Sequence, residues 1–317
     1  MLSRTANNLY WIARYIERAE TNARLLEVGA RNAMLPDTAG GNRNEWESVL
    51  LASGTKEAFD AKYGQAVERN VETHLFFDRE NASSVASCLS AARENGRIVR
   101  TALTTQVWEA LNAAHAELGE MARTERSNLS TTDLIDWTLR ACSLIRGAGL
   151  ATQLRNDGYD FTNIGHHLER ADSTARILDV KYYVLLPDIG FVGSGLDNYQ
   201  WRTVLRAMNA TRAFHWVYGG DVTAGKIVDF LVLNRQAPRS LINAADGVRV
   251  HLDRLARAYG RETDAQARAR DLVARLEATD TEDIFDRGLH QFLRGIIADV
   301  NRLGATVHDA YLSGDAR

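Results

Sequence analysis

An all-α fold, a multi-helix bundle built from two tandem, pseudo-symmetric helical repeats, follows from three features of the sequence. Only 3 prolines interrupt the 317 residues, and the stretches between them are rich in Ala, Leu, Arg and Glu, with no alternating strand pattern. The dodecapeptide ERAETNARLLEV at 17–28 returns about 150 residues later as ERADSTARILDV at 169–180. Seven of its twelve positions are identical (Glu, Arg, Ala, Ala, Arg, Leu and Val), and every charge keeps its sign. Further anchors recur in the same order: Trp46 with Trp201, Ala58-Phe59 with Ala213-Phe214, Tyr63-Gly64 with Tyr218-Gly219, and Ser84-Val85 with Ser240-Leu241. The repeats are expected to span 1–158 and 159–317 and to form one compact body.

The first helix is expected over 3–31, with Ser3 as its N-cap. At 100° per residue, Ile12, Ile16, Ala19, Ala23 and Leu26 fall on one stripe, the core face of an amphipathic helix. Its counterpart is expected over 161–185, entered from the Asn156-Asp157-Gly158 turn and stopped by Pro187. Glycine-rich connections at 36–44 and 187–198 follow the two helices. Gly190, Gly193 and Gly195 superficially suggest a phosphate loop, yet no strand precedes them and no Gly-Lys-Ser/Thr follows. Short helices are expected at 45–53, 56–63 and 66–76, and again at 199–208, 211–217 and 222–233. Longer ones start near Ser84 and Ser240, and closing helices occupy 131–153 and 281–312.

A formal net charge of −3 is not that of a default nucleic-acid binder. Lysine occurs only at 56, 62, 181 and 226, so nearly all basic residues are arginines, whose planar fork suits bidentate pairing with carboxylates. Cys88 and Cys142 stand far apart and read as buried hydrophobes in a reducing compartment. No signal-peptide pattern opens the chain and no run approaches ~20 apolar residues. A soluble cytoplasmic protein is expected, with neither membrane nor nucleic acid as a partner.

The repeated charges carry the functional question. Glu17, Glu20, Arg24 and Glu27 form a ribbon beside the core stripe, with Arg18 on the other flank. Glu20 precedes Arg24 by four residues, and Asp172 precedes Arg176 likewise. Such a ribbon can be a solvated face, a network of buried pairs fixing the register of the halves, or a ligand site. Glu169 and Arg170 repeat Glu17 and Arg18, so Glu17, Arg18, Glu20, Arg24, Glu169, Arg170, Asp172 and Arg176 belong to a candidate ligand-binding or inter-repeat network.

His166, three residues before Glu169, supplies the ingredients of a helical di-metal site. Guanidiniums in the ribbon would repel a cation, and Arg14 stands where the first repeat would need the histidine. No metal and no cofactor is expected. Ser84 and Ser240 suit helix caps, and Arg79 and Arg235, five residues upstream, are expected to reach a ribbon carboxylate or an anionic ligand. Arg93-Glu94-Asn95 is a polar cluster of the first repeat, of which the second keeps only Arg249 opposite Arg93. These residues complete the candidate set.

The start Leu2-Ser3-Arg4, Asn8-Leu9-Tyr10-Trp11, Arg14, Glu17-Arg18-Ala19-Glu20 and Ala23-Arg24, with Ser83-Ser84, Ser87-Cys88-Leu89 and Ala92-Arg93-Glu94-Asn95, resembles the bacterial alpha-E family. Leu168-Glu169-Arg170-Ala171-Asp172 and residues 175–182 are similar to its second signature. Ala82 stands where that family commonly has a proline, and His166-His167 where it tends to carry Arg.

The resemblance implies an all-helical protein encoded beside, or fused to, a circularly permuted ATP-grasp protein, often with a transglutaminase-like protein and sometimes a proteasome-related hydrolase. ATP-grasp enzymes join a carboxylate to an amine through an acyl phosphate. It therefore implies an accessory subunit of an amide- or peptide-bond-forming system, binding the ligase and an anionic peptide or amino-acid substrate. The alternatives are an enzyme of that pathway using a paired-carboxylate site, with or without metal, for transfer or hydrolysis, and a structural helical scaffold.

Overall fold

In a computed structural model describing residues 1–34, 45–125, 128–185 and 195–314, the regular elements are all helical and no strand forms among the described residues. Helices α1 (Ser3–Asn32), α2 (Glu45–Ser53), α3 (Lys56–Asp60) and α4 (Glu68–Glu72) lead through a π-helical turn at Thr73–Phe77 to α5 (Val85–Ile98), α6 (Thr105–Met121) and α7 (Thr131–Thr152). The chain continues with α8 (Asp157–Leu185), α9 (Gly195–Ala207), α10 (Thr211–Tyr218) and α11 (Ala224–Val228), then a second π-helical turn at Asp229–Leu233. Helices α12 (Leu241–Tyr259), α13 (Asp264–Glu277), α14 (Thr281–Asp286) and α15 (Leu289–Val307) follow, and a third π-helical turn occupies His308–Leu312.

Helix α1 is central, with α8, α5, α7, α2 and α9 all against it. Its apolar stripe divides between two cores. Ile12, Ile16 and Ala19 join Phe76, Leu89 and Leu111 in one, whereas Ala23 and Leu26 join Phe161, Leu178 and Trp201 in the other. The larger core thus draws residues from both sides of position 158. Each fully buried large apolar side chain contributes roughly 1.5–3 kcal/mol, which offsets the cost of enclosing charge along the same helix. Because neighbours cover most of α1, Glu17, Glu20 and Arg24 are buried. The charged ribbon lies inside the protein and not at the edge of a solvated face.

Local departures from the expected elements have local causes. Leu2 occupies the cap position of α1 without a side-chain bond, so Ser3 is the first helical residue and not the cap. α8 begins at Asp157, four residues before Phe161, because Asn156 Oδ1 accepts the Tyr159 amide at 3.2 Å. Gly260 turns left-handed at φ 67° and ends α12, and the Thr263–Gln266 capping box opens α13 as a separate helix. Gly288, at φ 85°, divides the expected 281–312 helix into α14 and α15. α9 starts within the expected 187–198 connection, at Gly195; the rest of that connection, the 36–44 connection, and Pro187, Gly190 and Gly193 lie outside the described residues. Among the described residues no helix is long and apolar enough to cross a membrane.

Helices α1 and α8 run side by side in the same direction, from Leu9 beside Gly158 to Thr21 touching Ser173. Their backbones nearly meet at Gly165, where a β-carbon would stand 2.3 Å from the Tyr10 carbonyl oxygen. Alanine is the better helix former, but a clash with backbone cannot be relieved by a rotamer change. Gly165→Ala is therefore expected to cost about 1–3 kcal/mol. Gly295→Ala at an exposed position of α15, where nothing lies within 4 Å, should gain about 0.5–1 kcal/mol. Urea denaturation of both variants tests the opposite signs.

Candidate functional site

The two Glu-Arg pairs meet across the α1–α8 interface, and each glutamate takes its arginine from the other helix. Arg170 donates through Nε and Nη2 to the two oxygens of Glu17, both at 3.0 Å. Arg18 donates to Glu169 through Nε at 2.6 Å and Nη2 at 3.1 Å, and Arg14 adds an Nε contact at 2.6 Å. This forked geometry is what a guanidinium supplies and an ammonium does not. A turn further on, Arg24 folds back on Glu20 and Arg176 on Asp172. Both arginines also cap a helix of the other half. Arg24 donates to the Ala207 carbonyl at the end of α9, and Arg176 to the Ala52 carbonyl in the last turn of α2 at 3.2 Å, where the helix dipole favours a cation.

The two ends of this arrangement differ in charge. Glu17 has no exposed surface; besides Arg170 it accepts from Arg146 of α7 at 2.9 Å and from Arg239 at 3.0 Å, with His166 Nδ1 3.3 Å away. Glu20 accepts from Arg24, Arg146 and Arg239. Arg239 is placed by its own turn. Asn234 Oδ1 accepts the amides of Gln236 and Ala237, Ser240 Oγ accepts the Asn243 amide to open α12, and Thr174 Oγ1 of α8 donates to the Arg239 carbonyl at 2.8 Å. Arg24, Arg146, Arg170 and Arg239 therefore surround two carboxylates, a surplus of two positive charges.

Burial alone would push the Glu17 carboxyl up, but Arg170, Arg239 and Arg146 outweigh it and hold the group well below the ordinary carboxylate range. Glu169 is also held down, its burial outweighed by Arg14 and Arg18. Two carboxylates that are both ionised cannot divide acid and base roles near neutral pH. On the cations, burial and then repulsion from Arg239 lower Arg24, and burial followed by Arg239 lowers Arg170 against the pull of Glu17. His166 is kept neutral by burial and by Arg170. Burial, Arg170 and His251 push His167 down to about 3.

A groove of about 430 Å³ opens on the surplus side, lined by Glu20 and all four of these arginines between α7 and the segments following α9 and α11. On the other side a cavity of about 280 Å³ is lined by Arg14, Arg18, Arg176, Glu169, Asp172 and Asn301. Either can receive an anion; the first offers more cation per carboxylate.

Of the candidate residues, Glu17, Arg18, Glu20, Arg24, Glu169, Arg170, Asp172 and Arg176 come together here. Ser84 and Ser240 cap α5 and α12. Arg79 and Arg235 do not reach the ribbon carboxylates. Arg79 lies 3.5 Å from Ser90 Oγ, and Arg235 pairs with Glu277 and Asp246 at the surface, because both leave the turn on the side of the helix that follows. Glu94 and Arg97 form an exposed pair, Arg93 binds Asn112 Oδ1 at 2.9 Å, and Asn95 is only half-buried, so that cluster stands apart from the ribbon. Glu27 pairs with Arg31. His166 faces Glu17 instead of Glu169, whose oxygens are occupied by guanidiniums; among the described residues no group of three or more His, Cys, Asp or Glu could hold a metal ion.

Sequence reasoning did not place Arg14, Arg146 and Arg239 in the site. One signal was available for Arg239: Ser83 precedes the Ser84 cap where Arg239 precedes the Ser240 cap, so the two segments differ immediately before an otherwise matching cap.

A family model described as a predicted alpha-helical domain with a conserved ER motif matches residues 1–312. No curated protein and no solved structure matches the chain. The Glu-Arg dipeptides at 17–18 and 169–170 are the two that exchange partners across the α1–α8 interface.

Glu17→Gln strips one charge from a pocket that stays crowded with guanidiniums, and a loss of about 3–5 kcal/mol is expected; Glu94→Gln should leave the denaturation midpoint where it is. Acid should destabilise the protein early. His166 and His167 have folded pKa values below the unfolded value of about 6.5, so the unfolded chain binds more protons below that pH. Their contribution is complete above about pH 6.5 and falls as pH drops toward the folded values, by up to ~1.4 kcal/mol per unit for each histidine. The contributions of Glu17 and Glu169 are lost lower, in the carboxylate range. His167→Phe should remove one histidine's share of the slope between about pH 6.5 and 5, measured by denaturation at a series of pH values.

Proposed function

The chain belongs to the Alpha-E family, and from that premise we propose that it is an accessory subunit of an ATP-grasp-dependent system that forms amide or peptide bonds. In this reading it works in the cytoplasm, docks on the circularly permuted ATP-grasp partner, in a system that can also include a transglutaminase-like protein, and holds an anionic peptide or amino-acid substrate. The observation that supports it is the guanidinium surplus around Glu17 and Glu20 at the floor of an open groove. The carboxylates fix the arginines in place, and the unneutralised charge is directed to a ligand. An ATP-grasp enzyme needs a carboxylate presented for phosphorylation, and forked guanidiniums orient such a group.

We propose further that the chain is two tandem helical repeats, 1–158 and 159–317, whose equivalent pockets have diverged. Support comes from matched interactions: Glu17–Arg170 with Glu169–Arg18, Arg24–Ala207 with Arg176–Ala52, and Asn22–Ser83 with Thr174–Arg239. Under that correspondence Arg146 and Arg239 of the cationic groove match Asn301 and Ser83 of the smaller cavity, both neutral. The groove is then left with four arginines around two carboxylates and the smaller cavity with three, so the stronger pull on an anion is at the first.

The scaffold reading has one observation in its favour, the complete burial of Glu17, which a register-fixing network also explains. Reconstitution separates the two. With the neighbouring ATP-grasp protein, ATP and candidate amines, Arg146→Asn and Arg239→Ser, which install the other repeat's residues, should keep the fold and partner binding and lose most of the product detected by mass. A product yield indifferent to omission of this chain would defeat the accessory role. Full activity of both variants would leave only the scaffold.

A further inference from the structure

We propose that a second cavity beside the cationic groove receives the apolar tail of a ligand whose carboxylate is held by Arg146 and Arg170, which makes amphiphilic monocarboxylates the ligand class of this protein. The inference rests on the anion-holding reading above and narrows it. The cavity measures about 330 Å³ and has Ile12 and Ile16 of α1, Val107 of α6, and Ile145 and Leu150 of α7 on its apolar walls. That volume is at the lower end of what small-molecule sites occupy, about 300–1,000 Å³. Arg146, Leu150, Arg170 and Pro238 line both this chamber and the cationic groove, so the two cavities share a wall that carries guanidiniums.

From α8 the chamber takes Tyr159, Thr162 and Asn163 as well as His166, His167 and Arg170. His167 Nδ1 is buried and has no hydrogen-bond partner, although buried polar atoms nearly always have one. The neutral imidazole can donate to or accept from a ligand head group. Arg146 uses one N–H on Glu17 and one on Glu20, out of about five that a guanidinium offers.

These features select for a ligand with both parts. A small anion would satisfy the guanidiniums and leave the isoleucine-lined chamber without an apolar occupant. An uncharged apolar molecule would leave the guanidinium donors unmet. A dicarboxylate would bring its second charge against Ile12 and Ile145, whose side chains offer it no hydrogen bond.

Calorimetric titration of the full chain with sodium acetate, octanoate and octanedioate at fixed ionic strength tests this. Octanoate should bind more than about tenfold tighter than acetate, since each buried methylene is worth roughly fourfold, and octanedioate should not exceed acetate. Arg146→Asn should weaken octanoate at least about tenfold, the loss of one charge-assisted hydrogen bond. Gly149→Leu fills the chamber from α7 and should fold, because a β-carbon there has nothing nearer than 3.9 Å; it should abolish the dependence on chain length.

Equal affinities for acetate and octanoate would overturn the tail chamber and leave the anion site standing. Octanoate binding that survives both substitutions would also overturn it. If acetate, octanoate and inorganic phosphate all fail to bind the folded protein, the anion-holding reading falls with it.

Discussion

A carboxylate with no access to water must be neutralised by its neighbours, and at Glu17 that requirement ties together four separate parts of the chain. Arg170 comes from α8, Arg146 from α7, Arg239 from the turn before α12, and the acid itself from α1. Placing three guanidiniums within about 3 Å of one carboxyl group fixes where those elements can lie, since the distance and direction of charge-assisted hydrogen bonds tolerate little error. The apolar cores on either side of α1 supply most of the favourable free energy. A buried carboxylate held in this way can select one of several well-buried arrangements, the role best attested for buried polar groups.

The same network is overcharged for a purely architectural device. One forked arginine per carboxylate would neutralise Glu17 and Glu20, and the Glu169 side comes nearer that limit, with Arg14, Arg18 and Arg176 facing Glu169 and Asp172. The additional cations around Glu17 repel one another, which is why Arg239 acts to lower both Arg24 and Arg170. Perturbed electrostatics of this kind cluster at functional sites, and structural ion-pair networks produce them as well. The excess also lies on the side where the groove opens, so the charge is accessible as well as unneutralised.

How much of this could be read from the sequence depended on how far apart the partners lie along the chain. The all-helical class and the extents of α1, α2 and α7 follow from spacing, and the Ser84 and Ser240 caps follow from local chemistry. Glu20–Arg24 and Asp172–Arg176 are visible because helix geometry joins residues four apart. Arg146 and Arg239 are not, because they reach Glu17 across 129 and 222 residues and no periodicity connects them. The helical wheel leaves burial open, since it puts the ribbon beside the core stripe; only the neighbours assembled around α1 enclose it. Arg235 shows the limit of motif reasoning, since the residue that does reach Glu17 is the next arginine, four positions later, at Arg239.

A rigid frame with exchangeable side chains explains how such a protein could acquire selectivity. Residues that set the frame are backbone-near: Gly165 against the Tyr10 carbonyl, Thr21 against Ser173, and the arginines that cap α2 and α9. Residues that set the charge of each pocket, such as Arg146 and Asn301, project from helices already held by those contacts. Their replacement alters what the cavity attracts while leaving the α1–α8 crossing untouched. Helix packing tolerates this because the energy of the fold resides in the two apolar cores, and the charge of a groove wall enters that energy only through the carboxylates it touches. Selectivity for an anion at one pocket can therefore change without a change of fold, provided Glu17 keeps enough guanidiniums to remain ionised.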